Sequence, residues 1–377
     1  AAREIGDVAV ERGDFVIRLD QPYGDYAKNL MEVQNFPDNA PRPYDDVAWT
    51  LPLAYNLTVH EVGDSAVFDL PVERITAAVA VPGSVRVQGR GAPRWWVVRY
   101  AASSHALQAR HELRDVPVHA AREAFTVPGA GEYSAGTWLI PADSVTRERL
   151  DAWAARFGLE VVGTRADLDV PRHAQPFPRI ALLHTWRNTQ DDGSVRYAFD
   201  TMGIPYEYVP EDRLRDGNLR ARFDVILFPD QGRSTGGRQI FEGIDPADGP
   251  FPYTASAQFP SLGVHSSSED ITGGMGYEGL SALRDFVTAG GTLITEGSAS
   301  TLPIEFALVR GVSLRTTPQL FSPGSFVQAR VANREHPIAY GYDDEVPVVG
   351  QGAQGMHVRQ AASRDEQAHR LGTGGQQ

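Results

Sequence analysis

Short unbroken apolar runs alternate along the second half of the chain with segments whose apolar residues recur every three or four positions. Ile180 to Leu183, Tyr206 to Val209, Asp224 to Pro229 and Thr292 to Thr295 are the runs; Gly193 to Met202 and Gly279 to Ala289 have helical spacing. A run with no polar alternation is a strand buried on both faces. Such strands alternating with amphipathic helices predict a mostly parallel sheet covered on both sides. We therefore expect a doubly wound α/β domain over residues 178–345. Open sheets of this kind bind ligands beyond the carboxyl ends of their strands. Those ends put His184 to Asp192, Asp230 to Arg233 and Glu296 to Ser300 on the candidate surface.

Residues 85–177 carry a second α/β pattern. Trp95 to Tyr100 and Thr137 to Ile140 read as strands, and Ser104 to Leu113 and Val145 to Phe157 as helices. Asp143-Ser144 is the expected cap of the latter helix and Gly158 its stop. Val170 to Pro178, with three prolines, predicts a linker. Residues 1–84 hold a predicted strand at Phe15 to Leu19, a helix at Tyr23 to Val33, and a Pro/Asp-rich surface loop from Asn35 to Asp46. The tail, residues 346–377, is rich in Gln, Arg, Gly and Ala and is expected to be loosely ordered.

The start of the chain repeats a later stretch. Ala1-Ala2-Arg3-Glu4, then Gly13-Asp14-Phe15-Val16-Ile17 and Asp20, matches Ala120-Ala121-Arg122-Glu123, then Gly136-Thr137-Trp138-Leu139-Ile140 and Asp143. In the later copy a strand and a helix precede the match. A repeat unit packs through its whole length, so the half-unit suggests a piece of a longer protein. Residues 1–34 should then pack against residues 85–160 or present an apolar face.

Composition narrows the function. With 42% hydrophobic and 22% charged residues over 377 positions the chain is globular and long enough for two or three domains. A net charge of −13, with Lys28 the only lysine, disfavours nucleic acid and anionic membranes as partners. No apolar stretch is long enough to span a bilayer. The absence of Cys removes disulfides, thiolate metal sites and cysteine nucleophiles.

The remaining chemistry is sparse. Gly274-Met275-Gly276-Tyr277-Glu278-Gly279 fits a dinucleotide fingerprint and opens a helix, but polar loop rather than a strand precedes it. The plainer reading is a loop that caps the helix. Asp191 and Asp192 follow a strand where a helix N-terminus favours negative charge, and Asp230 and Glu296 also stand at strand ends. Ser298, in Glu296-Gly297-Ser298-Ala299, lacks the second glycine of a nucleophile elbow. None of the ten histidines has the spacing of a zinc site; His184 closes the first strand of the sheet. The ligand-binding candidates are thus His184, Asp191, Asp192, Asp230, Glu296 and Ser298, with no catalytic or metal residue assigned. Trp95, Trp96, Trp138, Trp153 and Trp186 are expected in cores.

Several phrases carry a resemblance: Asp20-Gln21-Pro22-Tyr23, Tyr26-Ala27-Lys28-Asn29-Leu30, Pro43 to Pro52, Asp224 to Pro229, and Gly290 to Ser300. They resemble the region after the catalytic domain in large bacterial members of the M14 zinc carboxypeptidase family, whose last part looks like a class I glutamine amidotransferase domain. The resemblance implies a peptidase parent, exported to the periplasm or beyond, with zinc held in a preceding peptidase domain that is this region's partner. Two departures follow. The His-x-x-Glu zinc motif has no counterpart, so this chain carries no zinc ligand or other cofactor by resemblance. The amidotransferase triad needs a Cys nucleophile, and there is none. The leading expectation is a non-catalytic accessory region; the alternatives are a small-molecule or peptide binding module using the acidic rim, and a hydrolase with an unrecognised site there.

Overall fold

The computed structural model describes residues 3–37, 39–41, 49–79, 81–100, 102–232, 235–316, 322–351 and 354–358. Part of the phrase from Pro43, Arg233 and the tail beyond residue 358 lie outside the described residues. The chain is mixed α/β and divides into two compact units, Ala1–Phe177 with Pro323–Gly350, and Pro178–Ser322 with Gln351–Gln377.

The first unit opens with an antiparallel pair, β1 (Arg3–Ile5) and β2 (Val8–Val10), followed by α1 (Gly24–Met31) and α2 (Leu51–Tyr55). The strand expected at Phe15 to Leu19 does not form: the segment is irregular. Its copy Trp138 to Ile140 is a strand because it lies between two others, whereas Phe15 to Leu19 pairs with no strand among the described residues. A segment of strand composition without a neighbouring ladder has nowhere to place its backbone hydrogen bonds. Phe15, Ile17, Tyr23 and Tyr26 leave apolar side chains exposed.

The main sheet of this unit comprises β3 (Ser84–Val87), β4 (Trp95–Val98), β5 (His119–Ala121), β8 (Trp138–Pro141), β9 (Glu160–Thr164) and β10 (Arg172–Ala174). Between them lie α3 (Ala106–Glu112), the hairpin β6 (Phe125–Val127) and β7 (Gly131–Tyr133), and α4 (Arg147–Phe157). The order is β10-β5-β8-β4-β9-β3, antiparallel at every ladder except β3–β9. Side chains alternate across the pleat. Trp96, Val98, Trp138 and Ile140 join Leu150 and Trp153 in one core, while Val97 and Leu139 join Val127 and Tyr133 in another. That double burial is why β4 and β8 read as unbroken apolar runs. Two expectations need correction. The predicted linker contributes β10, and α4 is capped by Thr146, whose Oγ1 accepts from the Arg149 amide at 3.3 Å, while Asp143 and Ser144 lie in a preceding 3-10 turn.

The second unit contains β11 (Ile180–His184), α5 (Gln190–Met202), β12 (Glu207–Pro210), α6 (Leu219–Arg222), β13 (Val225–Phe228), α7 (Gly237–Glu242), α8 (Gly276–Thr288), β14 (Thr292–Thr295), α9 (Thr301–Glu305) and β15 (Val312–Thr316). Strand β18 (Gln354–Val358) pairs with β15; strands β16 (Pro323–Arg330) and β17 (Glu345–Gln351), which pair with each other, fall to the first unit. The central sheet has four parallel strands in the order β12-β11-β13-β14. All five residues of β11 are buried. Leu183, Val209, Ile226, Phe228, Leu283 and Phe286 anchor its core. Gly203 ends α5 with a left-handed φ of 67°. The parallel arrangement brings four loops to one carboxyl edge.

Candidate functional site at the carboxyl edge of the parallel sheet

The loop after β11 is built on Thr185. Its hydroxyl donates to Gln231 Oε1 at 2.6 Å and accepts from the amides of Arg187 and Asn188 at 3.3 Å. The turn after β11 is thereby tied to the one after β13. His184 is 1% exposed and sits parallel to the Tyr208 ring at a centroid distance of 4.0 Å. Its Nδ1 lies 3.2 Å from the Thr185 carbonyl and its Nε2 3.1 Å from Ser266 Oγ. A carbonyl can only accept, so Nδ1 carries the proton and Ser266 donates to Nε2. Burial lowers the His184 pKa to about 4. It is a neutral packing residue rather than a rim group.

The acidic candidates separate into two environments. Asp192, 1% exposed, accepts a short hydrogen bond from the Tyr208 hydroxyl. Burial raises its pKa against the lowering effect of that bond, and burial also raises the Tyr208 pKa. Asp191, in the first turn of α5, and Asp230 and Glu296 lie close enough that both charges raise the Glu296 pKa, after burial of its carboxyl as the first cause. Although Glu296 as a residue is exposed, its carboxyl group is thus drawn against its neighbours.

Ser298 completes this rim. Its amide and its hydroxyl each donate to Asp230 Oδ1 at 2.7 Å, and Oγ accepts from the Gln231 amide at 3.0 Å. Gly297, with φ of 51°, makes the approach possible: a Cβ there would lie 2.5 Å from Asp230 Oδ1. Ser298 is therefore a clamp between the turns after β13 and β14. Ser298→Ala should lower stability by about 1–2 kcal/mol in a thermal melt, because it orphans the Gln231 amide. A loss of only a few tenths would contradict the clamp.

A broad hollow opens where the loop after β11 faces the start of α8. It is a cleft of about 1020 Å³ lined by Trp186 and Arg187 after β11, by the end of α7 and the chain to Asp248, and by Gly273, Gly276, Tyr277 and Glu278 at the start of α8. Trp186, expected in a core, is half-buried on its wall and held at three points. Its amide donates to Glu211 Oε1 at 3.2 Å, its indole N–H to Asp212 Oδ1 at 2.8 Å, and its ring meets Tyr253 at 5.1 Å. Glu211, 0% exposed directly after β12, has no hydrogen-bond partner for Oε2. Burial raises its pKa to about 8, so it is mostly protonated at neutral pH.

The glycine-rich segment does open α8, and it contributes to the cleft rather than to a strand-turn-helix fingerprint. The Arg215 guanidinium donates to the carbonyls of Gly273 at 2.9 Å, Gly274, and Met275 at 3.3 Å. Arg187 Nη1 donates to the Gly243 carbonyl at 2.9 Å. Both arginines thus brace the glycine turns. None of the six sequence candidates lines the cleft. Trp186 and Arg187 lie within the stretch from His184 to Asp192 expected on the ligand surface, though neither was singled out as a ligand candidate; Tyr277 lies within the glycine motif, and Glu211 was missed.

Among the described residues no group of three or more His, Asp or Glu is arranged to hold a metal ion, and no helix is long and apolar enough to cross a membrane. No protein-family model, no curated protein and no solved structure matches this chain.

Proposed function

We propose that this chain is a non-catalytic binding region whose second unit seats its ligand in the cleft lined by Trp186 and Tyr277. The observation that carries the proposal is the cleft itself: about 1020 Å³ at the carboxyl edge of a parallel sheet, with an indole fixed on its wall. The strand order β12-β11-β13-β14 supports a doubly wound, amidotransferase-like reading of the unit. The saturated hydroxyl of Ser298 supports binding over nucleophilic catalysis. The sequence resemblance makes the region an accessory of an exported M14-type metallocarboxypeptidase. On that reading its partner is the peptidase domain, which supplies the zinc and the peptide hydrolysis.

The test is a thermal-shift panel of amino acids, short peptides and nucleotides on the chain and on Trp186→Ala. A ligand at 100 times its Kd adds about 2.7 kcal/mol of stability, enough to move a melt by several degrees. At least one ligand class should raise the melting temperature of the wild type alone. Shifts equal in both proteins, or none at all, would refute the cleft as the seat.

A hydrolase at the rim is the second reading, favoured by the raised carboxyl of Glu296 beside Asp191 and Asp230. Turnover of a peptide or ester that Glu296→Gln abolishes would establish it in place of the first.

A further inference from the structure

We infer that the cleft selects an organic cation, an ammonium or guanidinium group carried either by a free amine or by a peptide side chain. The inference rests on the cleft being a ligand seat. Its lining holds the carboxylates of Glu242, Asp245, Asp248 and Glu278 against a single guanidinium, Arg187. Glu242 is paired with Arg238 at 2.8 Å, and Asp245 Oδ1 accepts from the Ala247 amide at 2.9 Å. Asp248 and Glu278 make no ion pair among the described residues. Arg187 is engaged by the Gly243 carbonyl, and Arg215 behind the wall by three carbonyls of the glycine turn. With Glu242 paired to Arg238, the carboxylates of Asp245, Asp248 and Glu278 outnumber the guanidiniums of Arg187 and Arg215, so the cleft carries a net negative charge, in a chain that is itself strongly acidic.

The aromatic groups agree with the charges. Tyr277, 76% exposed, meets Phe241 edge-to-face at 4.9 Å, and Trp186 stands fixed on the cleft wall. An aromatic face flanked by carboxylates attracts a cation through the ring quadrupole and through charge together. The opposite preference, a phosphate on the N-terminus of α8, is opposed by the carboxylate of Glu278 in that first turn.

The experiment is isothermal titration of the full chain, at low salt, with agmatine and with tri-arginine, using tri-alanine acetylated at its N-terminus and amidated at its C-terminus and ADP as neutral and anionic controls. The variants are Tyr277→Ala and the double substitution Asp248→Asn with Glu278→Gln, all at exposed positions. The cations should bind, the double variant should weaken them at least tenfold, and Tyr277→Ala should weaken them several-fold. Tighter binding of tri-arginine would identify a peptide source, and tighter binding of agmatine a free amine. Tri-alanine or ADP binding as well as the cations, and in a Tyr277-dependent way, would overturn the cation preference and leave the cleft as the seat. Binding that no cleft substitution changes, or no binding by any probe, would overturn both.

Discussion

Between pH 6.5 and 8 the unfolding free energy of the second unit should fall by about 1–1.5 kcal/mol, and Glu211→Gln should abolish the fall. Glu211 holds its proton more tightly in the folded chain, at about 8, than at its ordinary value of 4.5. As pH rises, the unfolded chain loses that proton first, so stability drains away until the folded carboxyl also ionises. His184 does the reverse, holding its proton less tightly when folded, at about 4, than at its ordinary 6.5. As pH falls below 6.5 the unfolded chain gains that proton first, and stability is lost toward pH 4. Each unit of pKa difference is worth about 1.4 kcal/mol, so the two slopes cancel between about pH 4.5 and 6.5 and the Glu211 slope stands alone above it. Calorimetric melts of wild type and Glu211→Gln at pH 5, 6.5 and 8 measure this directly. The variant should match wild type near pH 5 and exceed it at pH 8, since the amide cannot ionise. A variant no more stable than wild type at pH 8 would show that Glu211 is ionised in the folded chain and that its burial is relieved.

How far the sequence revealed this arrangement depended on whether a signal was local. The strands of the parallel sheet were legible because each holds a short apolar run, unbroken and fully buried in β11, and Gly158 and Gly203 marked helix ends because both take left-handed φ values. The edge that carries the site was legible for the same reason. Glu211 was not: a glutamate beside Asp212 and Arg213 reads as solvated surface, and only the pairing of β11 with β12 and the return of the Trp186 loop bury it. Phe15 to Leu19 failed in the other direction, having strand composition but no strand beside it among the described residues. Strand β9, which begins one residue after the helix stop at Gly158, was not anticipated. The rim was placed correctly at strand ends, yet the hollow opened one loop away, where an excursion of 47 residues between β13's end and the start of α8 folds back.

Gly274→Ala should lower stability by about 3–5 kcal/mol and remove the binding proposed for the cleft, whereas Gly276→Ala should cost only about 1–2 kcal/mol. Both glycines have positive φ, 51° and 62°, so alanine pays the left-handed strain at either position. The surroundings separate them. A Cβ on Gly274 would lie 2.4 Å from the Phe241 carbonyl oxygen and 2.6 Å from the Gly243 nitrogen, both backbone atoms. Gly243 is in the same position with respect to Gly274, where its own Cβ would approach the nitrogen to 2.3 Å. The chain leaving α7 and the chain entering α8 therefore lie backbone against backbone, and neither can shift without moving the cleft wall formed by Phe241, Gly243 and Tyr277. A Cβ on Gly276 would meet the end of the Glu278 side chain at 3.3 Å, which can rotate away, and Arg215 Nε at an ordinary contact distance of 3.8 Å. In a phosphate-binding fingerprint the second glycine is the sensitive one, because it admits the ligand. Here the close approach of two chain segments makes the first glycine sensitive instead. Denaturant unfolding of the two variants decides between these roles: equal losses, or a greater loss at Gly276, would show that the motif serves a ligand rather than the packing of these two turns.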